Sequence, residues 1–179
     1  MLLVKHTPIE RRREQFLLST DPARLDLDVI YGFLTNCYWA KGTPRETVAR
    51  SIEHSLCFGI YDCSGQDAHA SKNPQEARVG ADAEPGPPQI GFARVISDFA
   101  TIAYLGDVFV LESHRGCGLG KWMMECIMQH PALQNLRRWI LLTRDAHELY
   151  SKFGFTPLAS PQRYMELHNP NVYVTRETT

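Results

Sequence analysis

The chain has 179 residues, 44% of them hydrophobic, five cysteines and a formal net charge of −1 at pH 7. That length suits one α/β domain with a sizeable core, and without a basic excess nothing favours general nucleic-acid binding. The cysteines, at 37, 57, 63, 117 and 126, are odd in number and never spaced C-x-x-C, which disfavours a disulfide framework or a zinc cluster and suits a reducing cytoplasm.

Met1 to Arg13 is charged early and lacks the apolar core of a signal peptide. No apolar run reaches the roughly 18 residues of a membrane span, so the expectation is a cytoplasmic protein with no membrane partner. After this basic tail, Glu14 to Ser19 predicts a first strand, turned at Thr20-Asp21-Pro22. Leu27, Ile30, Leu34 and Cys37 recur at helical spacing and predict a helix over 26–37 that closes into an aromatic loop with Tyr38 and Trp39. Thr43-Pro44-Arg45-Glu46 reads as a helix start, with Thr as cap and Pro at the first position, continuing through Val48, Ile52 and Ser55. Leu56 to Tyr61 is the next strand.

Residues 64–88 differ in kind. They hold one large aliphatic, Val79, among Ala, Gly, Pro, Asp and Gln, too little apolar surface to offset ordering entropy. A mobile insertion between two hairpin strands is expected, a substrate-gating lid being the alternative. Strands follow at 89–96 and 102–111. The second runs through Val108-Phe109-Val110 into three glycines in five residues, then a helix whose Leu119, Trp122, Met123, Cys126 and Ile127 mark one buried face. His130-Pro131 ends that helix. Leu136 to Thr143 predicts a buried strand, Ala146 to Phe153 a short helix stopped by Gly154, and Phe155 and Arg163 to Leu167 closing strands, with a frayed tail from Asn169. The order β-α-α-β-β-β-α-β-α-β predicts a single α/β domain over 1–179, of α+β type, with a mixed sheet and helices on both faces.

A strand, a glycine turn and a helix start make an anion cradle. The first-turn N–H groups lack helical partners, and the helix dipole adds partial positive charge. Arg115 brings a full charge, and glycine lets the backbone approach a phosphate. The spacing Gly116-Cys117-Gly118-Leu119-Gly120 is G-x-G-x-G, not the dinucleotide G-x-G-x-x-G, and Lys121 is followed by Trp122, not the Ser/Thr of a P-loop. A tight turn with no ligand remains the structural alternative.

In that setting Arg115-Gly116-Cys117-Gly118-Leu119-Gly120 resembles the R-G-x-G-L-G turn of the GNAT superfamily of acyl-CoA-dependent N-acyltransferases. Ala146-His147-Glu148-Leu149-Tyr150-Ser151-Lys152-Phe153-Gly154-Phe155 is similar to the family's A-x-x-x-Y-x-x-x-G-F segment. The resemblance covers roughly Gln15 to Leu167 and is most specific from Gln89 to Phe155. It implies a mostly antiparallel twisted sheet, splayed between its fourth and fifth strands, with acetyl-CoA as cosubstrate; the seven histidines show no metal-binding spacing, so no metal is expected. Arg115, Gly116, Cys117, Gly118, Leu119 and Gly120 would hold the pyrophosphate, and Phe109 and Val110 would pair with the pantetheine arm as an added strand. Tyr150 would protonate the departing thiolate, since a phenol of pKa near 10 is of roughly similar basicity; a packed aromatic is its structural alternative. Many relatives carry Asn where this chain has Thr143, so that contact carries over only in shortened form.

An acceptor amine must lose a proton before attack. Asp107, alone in an apolar strand, stands as candidate base or as a carboxylate bonded to backbone or to Arg94; Glu112 and His114 read as solvated. Tyr38, Trp39, Arg45 and Arg50 lie in or after the loop that borders the acceptor site in this family. The acceptor would be a small-molecule amine or a peptide, and a monomer and a homodimer both stay open. A non-catalytic acyl-CoA sensor is the competing function.

Overall fold

The computed structural model describes residues 7–65 and 86–173. Most of the expected insertion at 64–88, and the last residues of the expected frayed tail, lie outside the described residues. Six strands form one sheet in chain order: β1 (Glu10–Arg13), β2 (Phe16–Ser19), β3 (Leu56–Asp62), β4 (Gln89–Ser97), β5 (Ile102–Val110) and β6 (Arg138–Leu141). β1 to β5 pair antiparallel, and β6 joins β5 in parallel. The helices are α1 (Leu27–Leu34), α2 (Arg45–Glu53), α3 (Leu119–Met128) and α4 (His147–Ser151).

Alternation along the strands feeds two apolar layers. On one face α3 buries Leu119, Trp122, Met123, Cys126 and Ile127, as its periodicity predicts, and Met124 besides, against Phe58, Ile60, Val95 and Leu105. On the other face Ile30 and Leu34 of α1 and Val48 of α2 pack on Cys57, Phe92 and Phe109. Each such aliphatic or aromatic side chain contributes about 1.5–3 kcal/mol by leaving water. α1 starts where Asp26 accepts from the N–H groups of Asp28 and Val29. Helices thus flank a mixed, mostly antiparallel sheet, the expected class.

Several local expectations give way. Glu10–Arg13 is not a tail but an exposed edge strand, turned into β2 at Glu14 with φ 54°. Water on both sides spares it any apolar pattern, and its charges discourage edge-to-edge association. Pro44, not Thr43, is the cap of α2, and no side chain bonds there. The fifth expected strand, here β6, is shorter than 136–143 and only half-buried, with Leu142 72% exposed. The reason is its position: the closing strands at Phe155 and 163–167 are absent among the described residues, so β6 is an edge. A 3-10 turn occupies Pro161–Arg163, and Met165 and Leu167 are fully exposed.

Candidate active site

β5 and β6 stay paired only from Ile102↔Arg138 to Leu105↔Leu141. Beyond Leu105, β5 runs on to Val110 while the segment after β6 turns off into α4, and this is the expected splay between the fourth and fifth strands. A bulge marks the divergence: the register with β4 shifts between Phe92 and Arg94, and Asp107 takes φ 55°. The bulge also decides which backbone groups are free. Leu111 N donates to Ile90 O at 2.8 Å, so by alternation Phe109 directs its N–H and C=O toward β4, and Val108 and Val110 direct theirs to the open side. Phe109 itself is a core residue, its ring stacked on Phe33 at 3.8 Å. The resemblance singles out Phe109 and Val110 within the strand, not Val108, because strand phase across a bulge is not written in residue types.

A cavity of about 410 Å³ occupies the splay. Val108 to Val110 form one wall, Ala146, Leu149 and Tyr150 the opposite one, and the glycine turn with Lys121 closes the end. Gly116 and Gly118 stand at φ 83° and 73°, conformations that a side chain would strain. Gly118 is the cap of α3 and offers no side-chain bond, so the first N–H groups of the helix are available at the cavity's end. Gly120 is different. Its φ is ordinary, and a Cβ added there would meet no atom within 4 Å, so nothing in the protein demands glycine. Gly120 itself lines the cavity.

Of the other expected site residues, Arg115 turns back on the strand: Nε donates to Val110 O at 3.1 Å and Nη1 lies 3.4 Å from Glu112 Oε1. Leu119 lines the cavity and is buried in the core. Cys117 is exposed on the turn and stands outside the cavity lining. Thr143 also stands outside it; its Oγ1 accepts from Ala146 N at 3.0 Å and so braces the start of α4. Tyr150 is buried, and burial, then the charges of Asp145 and Tyr38, push its phenol up to about 12. The Tyr38 ring lies under the Arg144 guanidinium at 3.9 Å, joining the aromatic loop after α1 to the loop before α4.

Asp107 is not in the cavity lining. Its Oδ2 accepts from Arg94 Nε at 2.7 Å, and Arg94 Nη1 donates to Ser55 Oγ at 3.3 Å, the pairing weighed in the sequence as one of two readings. Oδ1 has no hydrogen bond among the described residues. Both side chains are mostly buried, at 16% and 13% exposure, so removing one partner strands a charge. Arg94→Ala is expected to cost about 3 kcal/mol, read as a lowered urea midpoint at unchanged m-value.

His114 lines the cavity and is not simply solvated. Its Nε2 lies 3.3 Å from Asp62 Oδ2, at the end of β3, and its Nδ1 lies 2.8 Å from Ser113 Oγ. The pair spans 52 residues of sequence, beyond any local motif. The Ser64 N–H holds the Asp62 carboxyl below the usual range against the opposing effect of burial, helped by the Ser64 hydroxyl and His114. A lowered folded pKa gives stability that is present above the unfolded value and lost as pH falls through the folded one. Asp62→Asn should therefore lower Tm modestly at neutrality, where that contribution is fully present, and flatten the acid side of a Tm-against-pH curve below about pH 4.

Among the described residues no group of three His, Cys, Asp or Glu could hold a metal ion, and no helix is long and apolar enough to cross a membrane. A family model for the acetyltransferase (GNAT) domain matches residues 82–157. A Gibberella zeae protein provisionally named an acetyltransferase is 34% identical over 145 residues, 78% of each chain. A crystal structure from Xanthomonas campestris pv. campestris, provisionally assigned as an acetyltransferase of the GNAT family, shares 44% identity. It covers 89% of this chain and 97% of its own, with a TM-score of 0.74. A structure from Clostridium acetobutylicum described with acetyl-CoA shares the fold at 14% identity, with a TM-score of 0.53 over 90% of this chain and 96% of its own.

Proposed function

The chain belongs to the GNAT acetyltransferase family, and from that premise we propose that it moves an acetyl group from acetyl-CoA to the primary amine of an acceptor by direct attack. One observation carries the reading: a single cavity runs from unpartnered helix-start N–H groups, along the open side of β5, to a buried phenol. That sequence of groups matches the donor end to end. Pyrophosphate meets the turn and Arg115, pantetheine meets the open-side backbone of Val108 and Val110, and the thioester sulfur meets Tyr150.

In the reaction the neutral amine nitrogen attacks the thioester carbonyl carbon. An open-side N–H of β5 polarises the carbonyl oxygen as negative charge develops on it. The carbon–sulfur bond then breaks, and the electron pair leaves with sulfur. Tyr150 donates its hydroxyl proton toward that thiolate. A phenol pushed up to about 12 is a weaker acid than a free tyrosine, so its first contribution is a hydrogen bond to the thiolate, with the proton following. The proton lost by the amine leaves to water, because Asp107 is paired with Arg94 and stands outside the cavity lining. Tyr38, Trp39 and Arg144 border the acceptor side, a setting for a small amine or a peptide N-terminus with an apolar or aromatic neighbour.

The test is incubation with acetyl-CoA and a panel of small amines and short peptides, reading free thiol against time. Thiol release dependent on one acceptor class supports transfer. Tight acetyl-CoA binding with no release above hydrolysis across the panel overturns it in favour of an acyl-CoA sensor.

A further inference from the structure

The edge strand β1 ends against the glycine turn. Arg13 Nη1 donates to Gly118 O at 3.4 Å, and a Cβ built on Gly118 would lie 3.6 Å from both Nη1 and Nη2. That bond is long and shares an oxygen already taken by Trp122 N at 3.0 Å, so it uses one of five guanidinium donors weakly. Arg13 is exposed and has no carboxylate partner among the described residues. The two cations of the turn itself are engaged, Arg115 with Glu112 and Lys121 with Glu125 at 3.6 Å. Arg11, on the same face of β1, acts on Cys126 two turns along α3, pulling against the burial that raises that thiol. A basic edge therefore flanks α3 on the outer side of the turn, where the cavity lining does not reach.

We propose that Arg13 binds the 3′-phosphate of the coenzyme A donor. The inference rests on the donor reading above and adds a subsite to it. The pyrophosphate has the turn's own N–H groups and Arg115 within the cavity, whereas Arg13 stands on the outer rim of the same turn. The phosphate it meets is the one carried outside the cavity on the ribose. A planar guanidinium with spare donors suits bidentate capture of such a group.

The test compares acetyl-CoA with 3′-dephospho-acetyl-CoA by calorimetry on the unaltered protein, Arg13→Ala and Arg13→Lys, with thermal melting as the folding check. The unaltered protein should bind the dephospho donor about 10-fold more weakly. Arg13→Ala should weaken acetyl-CoA by about the same factor and leave the dephospho donor unchanged, and Arg13→Lys should recover part of the loss. Equal weakening of both donors would mean that Arg13 only braces Gly118, and would overturn the proposal. So would unchanged affinity for both. Binding of neither donor by the unaltered protein would remove the donor reading itself.

Discussion

Replacing Tyr150 by Phe is expected to lower kcat about 100-fold while acetyl-CoA affinity stays within about twofold. The ring is buried 6.0 Å from Phe155 and lines the cavity beside Leu149. Phe keeps that packing and removes only the oxygen. The hydroxyl matters where charge appears. A thiolate leaving into a wall of Ala146 and Leu149 has few donors, and a positioned acid contributes about 10²–10⁴-fold. Affinity should hold because the phosphates, not the sulfur, supply most of the donor's polar contacts. Because burial pushes the phenol up to about 12, Tyr150 keeps its proton across the working range. The pH profile of kcat should then show no alkaline fall from this group, and the Phe variant should keep the profile's shape at a lower level. Stopped-flow thiol release across pH 6 to 10 reads both quantities. Unchanged kcat in the Phe variant would reduce Tyr150 to a core aromatic.

The parts of the site that were legible in the sequence are those where one residue type answers one local demand. Gly116 and Gly118 stand at positive φ, and the apolar spacing of α3 maps directly onto its buried face. Other parts arise from the sheet as a whole. β1 shows no apolar alternation because it is exposed on both sides, so the strand that carries Arg13 to the turn reads as a charged tail. Arg163 to Leu167 misleads in the opposite sense: its apolar Tyr164, Met165 and Leu167 look like a strand, yet it finds no partner strand among the described residues. The open-side orientation of the Val108 and Val110 backbone depends on the bulge at Asp107, whose positive φ is uncommon for a non-glycine residue. One residue of slip there would exchange the open and paired faces of the strand. His114 and Asp62 meet because β3 and β5, which leads into the glycine turn, end on the same side of the sheet's long axis, at the C-terminal ends of both strands, a fact of topology.

Gly120→Ala should move stability and donor affinity in opposite directions. In the free protein Gly120 sits in the first turn of α3 at an ordinary φ, with no atom within 4 Å of an added Cβ. Alanine there removes unfolded-chain entropy and improves helix propensity, a gain of about 0.5 kcal/mol. Gly120 lines the cavity end beside the first N–H groups of α3, and a methyl there is expected to narrow it. The methyl would hold a phosphate away from those donors and forfeit about one charge-assisted hydrogen bond, roughly 2 kcal/mol, or about 30-fold in Kd. Gly118→Ala cannot separate these effects, because φ 73° would strain the turn with or without ligand. Gly120 therefore isolates the ligand's demand from the fold's. Urea unfolding of the free protein and calorimetric titration with acetyl-CoA measure the two sides. A variant that gains stability and keeps full affinity would place the donor's phosphates away from the helix start, and the free N–H groups of α3 would then be solvated and nothing more.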